Sequence, residues 1–192
     1  MDDQAAAAEV LLFWFGPREV RGRRDKRWFE KDEAFDRECC VRFLALHEHA
    51  AAGRLSAWTE QPAPCLALIL LIDQFPRNMF RGTARAFATD AAALDAARHA
   101  VAEGFDRGML PVERLFVYLP FEHSESLAEQ ERACELTKPL RAFPETADAY
   151  AYAVAHRDIV ARFGRFPHRN ALLGRESTAE EIEFLKGPGS SF

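Results

Sequence analysis

Ala63-Pro64-Cys65-Leu66-Ala67-Leu68-Ile69-Leu70-Leu71-Ile72-Asp73-Gln74-Phe75-Pro76 is the stretch on which the fold turns. Eight consecutive residues from Cys65 to Ile72 are apolar, with no alternation of apolar and polar positions. A run apolar on every side belongs at the centre of a protein, and one led by Leu and Ala favours helix. It is far short of the ~20 residues that cross a bilayer. It therefore reads as a central core helix from about Ala63 to Gln74, stopped by Pro76.

On both sides of it the apolar residues return every three or four positions, the mark of half-buried helices. Gln4 to Phe15 reads as the first, ended by Gly16-Pro17. Trp28 to about Ala52 reads as a long second, with Trp28, Phe35, Cys39, Phe43, Leu46 and Ala50 on one face and Gly53 as its break. Beyond the central run, an Ala-rich helix starts at Thr83 or Thr89 and closes at Glu103-Gly104. Pro111 opens a short one to about Tyr118, broken by Pro120. Ser126 and Glu129 have the spacing of a capping box for a helix to Arg141, and Ser177 and Glu180 repeat that spacing for a last one, Thr178 to Leu185. Between them, Thr146 or Asp148 opens a helix that runs to Phe163 and stops at Gly164.

That pattern predicts an all-α protein of seven to nine helices packed as stacked antiparallel helical hairpins. At 192 residues the chain reads as a single helical domain over 1–187 with a frayed tail at 188–192. Val, Ile and Thr are too few for a large sheet. Cys39, Cys40, Cys65 and Cys134 form no C-x-x-C pair and read as buried free thiols. The acidic start, Asp2-Asp3, lacks the basic region of a secretory leader, so the expected location is cytoplasmic.

The net charge of −5 hides two basic islands. Pro17 to Arg27 carries six bases against two acids, and His156 to Arg175 five arginines against one aspartate. Local islands in an acidic chain fit recognition of a small anion better than of nucleic acid, which asks for a broad basic face. The two proline-terminated segments also echo each other. Phe75-Pro76-Arg77-Asn78 leads to Arg81-Gly82, and Phe166-Pro167-His168-Arg169-Asn170 leads to Gly174-Arg175.

Three strings carry a resemblance: LILLIDQFPRNMFRGTARAFATD (68–90), YLPFEHSESLAEQE (118–131) and HRDIVARFGRFPHRNALLGRESTAEEIEFL (156–185). Their order and wording resemble the bacterial domain-of-unknown-function family number 924, from VLLFWFG near the start to EFLKG near the end. The resemblance implies tetratricopeptide-like helical-hairpin packing and leaves the activity open. Its polar motif positions fall here on Asp73, Gln74, Arg77, Asn78, Arg81, Glu122, His123, Ser124, Glu125, His156, Arg162, Arg165, His168, Arg169, Asn170 and Arg175.

Each group has a structural and a functional reading. Asp73 stands where a helix end disfavours a carboxylate, so it needs a cation: Arg77, Arg81 or an arginine of the third string. His123, between Glu122 and Glu125, suits acid/base chemistry or a neutral hydrogen-bonded corner. Arg162, Arg165, Arg169 and Arg175, with His156, His168 and Asn170, present planar donors for carboxylate or phosphate, or else pair with Glu122 and Glu125. Arg162 and Arg165, three apart at a helix end, are expected on one face.

The preferred expectation is a binding protein whose polar cleft holds an anionic small molecule or peptide, with Asp73, Arg77, Asn78, Arg81, Glu125, His156, Arg162, Arg165, His168, Arg169, Asn170 and Arg175 as ligand contacts. The alternatives are an enzyme with His123 as acid/base and Glu122 orienting it, or a scaffold whose charges form only an ion network. No nucleotide-binding, hydrolase or metal-ligand spacing occurs, so no cofactor and no metal are expected. Neither nucleic acid nor membrane is expected as a partner, and the oligomeric state is left open.

Overall fold

The computed structural model describes residues 3–17 and 19–191, and among them the structure is all-helical, with no strand. The α-helical segments are α1 (Asp3–Phe15), α2 (Glu33–Ala51), α3 (Pro62–Ile69), α4 (Phe75–Met79), α5 (Asp90–Ala102), α6 (Pro111–Glu122), α7 (Leu127–Thr137), α8 (Ala149–Phe163) and α9 (Ala179–Phe184). Short 3₁₀ turns link many of them.

The apolar run is central. Cys65 to Ile72 is buried throughout, and α3 packs against α1, α5 and α6. Helices adjacent in sequence also meet, α5 on α6, α6 on α7 and α7 on α8. Aromatic rings fill the gaps. Trp14 lies 5.4 Å from both Phe75 and Phe116, and its neighbour Trp28 donates its indole N–H to the Trp14 carbonyl at 2.9 Å. Trp58 is buried as well. A smaller cluster, Ile159, Val160 and Phe166 with Phe163 and Phe184, holds the end of α8 to α9.

Pro76 does not stop the central helix. A π-helical segment, Leu70–Gln74, carries α3 into α4 without a break. The wider turn sends the Phe75 N–H back to the Leu70 carbonyl, and Pro76 has no N–H to give. The carbonyls of Leu71 and Ile72 thereby lose their ordinary helical donors, and buried carbonyls need replacements. His47 of α2 supplies one, its Nδ1 donating to Leu71 O at 2.8 Å. Thr89 supplies the other, its hydroxyl donating to Ile72 O at 2.5 Å. Two neighbouring helices are thus pinned to one irregular turn, which carries Asp73 and Gln74.

Other expectations shift in detail. Trp28 lies in a 3₁₀ turn, and α2 begins only after Asp32, whose carboxylate accepts from Ala34 and Phe35 N–H. Pro120 sits inside the last turn of α6, because Leu119 and Phe121 on either side are buried and outweigh one lost hydrogen bond. The box expected at Ser126 is not formed, since Glu129 turns away to Arg98 at 2.6 Å. The last box is one residue later than expected, Thr178 with Glu181. Cys39 and Cys65 are buried free thiols, whereas Cys40 and Cys134 are partly exposed. Near the end of the chain, Ser190 is buried and its hydroxyl donates to the Leu185 carbonyl. Among the described residues no helix is long and apolar enough to cross a membrane.

Candidate functional site

The π-helical turn, the end of α6, the middle of α8 and the 3₁₀ turn Pro167–Arg169 converge on one cleft of about 490 Å³. Of the residues expected at a site, Gln74, Arg77, Asn78, Arg81, Glu122, His123, His156, His168 and Arg169 lie on its wall. A larger groove, about 880 Å³, runs beside α1 at Leu11 and Leu12, but its Arg21 and Glu113 are bonded to each other at 2.6 Å. Among the described residues no titratable cluster gathers there.

Asp73 lies behind the wall, fully buried, and organises it. One oxygen accepts from His123 Nδ1 at 2.7 Å and the other from Gln74 Nε2 at 2.5 Å. Arg77 stands 3.4 Å from the same carboxylate and donates to the Asp73 carbonyl at 2.6 Å. Burial opposes charge on Asp73, but His123 and Arg77 hold its carboxyl below the usual range. Burial and Arg77 in turn lower His123, so the pair is a carboxylate beside a neutral imidazole. With Nδ1–H committed to Asp73, Nε2 carries the basic lone pair of a ring that forms part of the cleft wall. The expected orienter, Glu122, is therefore replaced in that role by Asp73, fifty residues away in sequence.

Glu122, next in sequence to His123, is in the opposite condition. It is 1% exposed, lines the cleft, and neither carboxyl oxygen has a hydrogen-bond partner. Burial, reinforced by the Asp73 charge, pushes it up to about 8, so it is a neutral acid at pH 7. His156 Nδ1 donates to the Tyr152 carbonyl at 2.8 Å and lies 3.6 Å from Glu122 Oε2. Burial drives His156 down to about 3 and His168 to about 4, so both rings are neutral.

Each cleft arginine meets a carboxylate, although Arg169 shares its own with Arg77 and keeps a buried Nε–H without a partner. Arg77 makes a two-pronged bond to Asp90 at 2.9 and 3.0 Å. Arg169 reaches Asp90 at 3.3 Å and the His123 carbonyl at 3.0 Å, and lies over the rings of Phe87 and Phe166. Burial and Arg77 lower Arg169 to about 10, which leaves it charged. Arg81 makes two bonds to Asp36, and Asn78 donates to the same carboxylate. Arg24, from the first basic island, meets Asp148 at 2.5 Å on the far wall.

The remaining expected residues are not on the cleft wall. Arg175 grips Glu125 with two bonds at 2.6 and 2.8 Å, and Glu125 also accepts from the Phe166 N–H. Asn170 is fully buried and links Arg175 to Ser177. Ser124 stays local, its hydroxyl accepting from the Ser126 N–H at 3.2 Å. Arg165 lies beyond Gly164 and so does not share a helical face with Arg162. Arg162 pairs with Glu180 and Arg165 with Glu181, which fastens α8 to α9. These contacts form an ion network around the turn that presents His168 and Arg169.

Sequence reading did not single out Asp90, which two arginines share, or Asp36. Both sit in the first turn of a helix, where an acid has the unremarked job of facing the helix dipole. Nor did it place the apolar wall, in which Phe29, Phe87, Leu115, Leu119, Tyr152 and Leu172 take part. Among the described residues no group of three or more His, Cys, Asp or Glu is arranged to hold a metal ion.

The sequence matches over residues 10–189 the model of a family described as bacterial protein of unknown function (DUF924). Its structure is similar to that solved for a protein of unknown function from Agrobacterium tumefaciens, with 45% sequence identity and a TM-score of 0.87. That likeness covers 97% of this chain and 100% of the other. No curated protein matches the sequence.

Proposed function

The chain belongs to the bacterial DUF924 family, and from that premise we propose that its cleft is the active site of an enzyme that catalyses proton transfer. His123 is the general base and Glu122 the proton donor. The observation that carries this reading is the contrast between adjacent residues. His123 is oriented by a buried carboxylate at 2.7 Å, while Glu122 is a buried carboxyl without a partner. Two titratable groups set apart by their surroundings are how one site supplies a base and an acid at the same pH.

The chemistry follows from the geometry. His123 takes a proton at Nε2, and the Asp73 carboxylate at Nδ1 stabilises the imidazolium that results. Glu122 gives its proton to the group that becomes negative. Charge on Glu122 then sits near Asp73, which favours its reprotonation. Arg169, bonded to the His123 carbonyl, holds the end of α6 and brings a positive field to the same wall.

Diethyl pyrocarbonate tests the base without knowledge of the substrate, since it acylates accessible, unprotonated imidazole nitrogen. Peptide mapping is expected to show His123 modified ahead of His47 and His156. Asp73→Asn is expected to slow that reaction, because the ring loses its fixed tautomer. In a screen of ester, amide and carbon-acid substrates, His123→Asn abolishes turnover in a folded protein, and Asp73→Asn lowers it by roughly 10²- to 10⁴-fold. An unreactive His123 in the folded wild type overturns the proposal; saturable ligand binding without turnover leaves a binding protein instead.

A further inference from the structure

We propose that the cleft takes an uncharged, amphipathic ligand, with a hydrogen-bonding head at His123 and Glu122 and an apolar chain or ring against Phe29, Phe87, Leu119 and Leu172. The location of the head rests on the acid/base reading above; the argument about charge and the apolar wall does not. Three observations lead to it.

The first is charge matching. Arg24, Arg77, Arg81 and Arg169 each already meet a carboxylate, and Arg77 does so through both prongs of its guanidinium. A phosphate or carboxylate ligand would have to displace one of these partners and would then lie near the evicted charge. At Arg77 and Arg169, whose pairs are partly buried, the cost of opening an ion pair opposes that exchange; the pairs of Arg24 and Arg81 are more exposed and oppose it less. A cationic ligand has no better prospect. Asp36, Asp73, Asp90 and Asp148 are all engaged, and Glu122 is neutral at pH 7.

The second is the polar end. The free valences at the cleft include the Nε2 lone pair of His123, the unpartnered carboxyl of Glu122, which supplies a donor and an acceptor, and the Nε–H of Arg169, a donor on a guanidinium whose charge Asp90 already meets. An amide that keeps an N–H, or a hydroxyl, donates to the His123 lone pair and accepts from the Glu122 carboxyl at once.

The third is the rim. Of the exposed large apolar side chains, Phe29 (49% exposed), Tyr152 (51%) and Leu172 (36%) belong to the wall of this cleft, while Leu12 and Leu110 line the groove beside α1, where no titratable cluster of described residues accompanies them. Exposed apolar surface gathered around a concave polar site marks where the apolar part of a ligand lies. The volume of about 490 Å³ is ample for a chain or ring of moderate size.

The test uses the full chain and the neutral dye N-phenyl-1-naphthylamine, displaced at pH 7 by octanamide, octanoate, octyl phosphate or inorganic phosphate. Octanamide is expected to displace the dye at least tenfold more effectively than either octyl anion, and inorganic phosphate not at all. Leu172→Ala and Phe29→Ala, both at the exposed rim, are expected to weaken octanamide about tenfold without moving the urea midpoint. Preference for octanoate or octyl phosphate would overturn the inference and make the site an anion site. Absence of dye binding, or displacement insensitive to both rim variants, would overturn it too. None of those results touches the acid/base reading, which is tested by the labelling of His123 and by turnover. Conversely, an unlabelled His123 with octanamide still preferred sinks only the chemistry.

Discussion

At the scale of single residues the cleft turns on where protons sit. Glu122 is neutral when folded at pH 7 because its carboxyl is buried without a cation or a donor. Its folded value of about 8 lies above its ordinary one of 4.5, so the folded state holds the proton more tightly than the unfolded chain does. Stability from this group is complete at acid pH and is lost as pH rises from about 4.5 to about 8. Glu122→Gln fixes the neutral form. It is expected to raise stability at pH 7, on the order of 3 kcal/mol, and to have little effect at pH 4.5. Urea unfolding at the two pH values checks this. A loss of stability at pH 7 would mean that Glu122 is ionised and paired in the folded protein. Asp73, one turn from Pro76, shows the reverse case, a carboxylate kept charged in full burial by His123, Arg77 and Gln74.

At the scale of elements, the π-helical segment is what brings this chemistry together. Its two freed carbonyls are capped by His47 and Thr89, so the irregular turn is held by side chains of α2 and of the start of α5. Leaving a buried carbonyl without a donor costs about 1–3 kcal/mol. Thr89→Val is therefore expected to lose that much stability. Pro76→Ala restores an N–H within reach of the same carbonyl and is expected to reduce the loss in the double variant. Equal costs of Thr89→Val with and without Pro76→Ala would show that the proline does not create the need for the cap. Thr89 also stands at the N-cap position of α5 without capping it, because its hydroxyl is already committed to Ile72. Fastening of another kind occurs at the far end, where Arg162, Arg165 and Arg175 tie α9 and the loop before it to α8 and Glu125.

Across the whole molecule the buried histidines and Glu122 oppose each other in pH. His156 and His168 have folded values of about 3 and 4, below the ordinary 6.5, so the unfolded chain binds more protons in that window. Their contribution is present above pH 6.5 and is lost on acidification, each at up to about 1.4 kcal/mol per pH unit. His47 and His123 shift in the same direction. Glu122 acts in the opposite sense up to about pH 8. Stability is therefore expected to peak near pH 6.5, with an acid limb steeper than the alkaline one. Chemical denaturation from pH 4.5 to 9 measures it, and Glu122→Gln should remove the alkaline limb and steepen the acid one, because Glu122 opposes the histidines from about pH 4.5 upward. An alkaline limb that persists in that variant would assign the loss to another group.

The sequence by itself determined the helices, because their signals are local. The all-round apolar run at Cys65–Ile72, the three-and-four spacing and the glycines after α5 and α8 act over one or two turns of chain. It also singled out Asp73, Glu122, His123 and Arg169 as unusual, since charged and titratable residues beside apolar helix ends stand out in one dimension. It could not determine which of them meet. Pro76 and Pro120 look like stops, yet burial of Phe75, Leu119 and Phe121 outweighs the lost hydrogen bonds and carries both helices through. Asp73 finds His123, and Asp90 is shared by Arg77 and Arg169, across 50, 13 and 79 residues of chain. Such pairings depend on distance in space and on the exclusion of water. Whether Glu122 is an acid or a carboxylate at pH 7 depends on the same two things, and only the tertiary structure sets them.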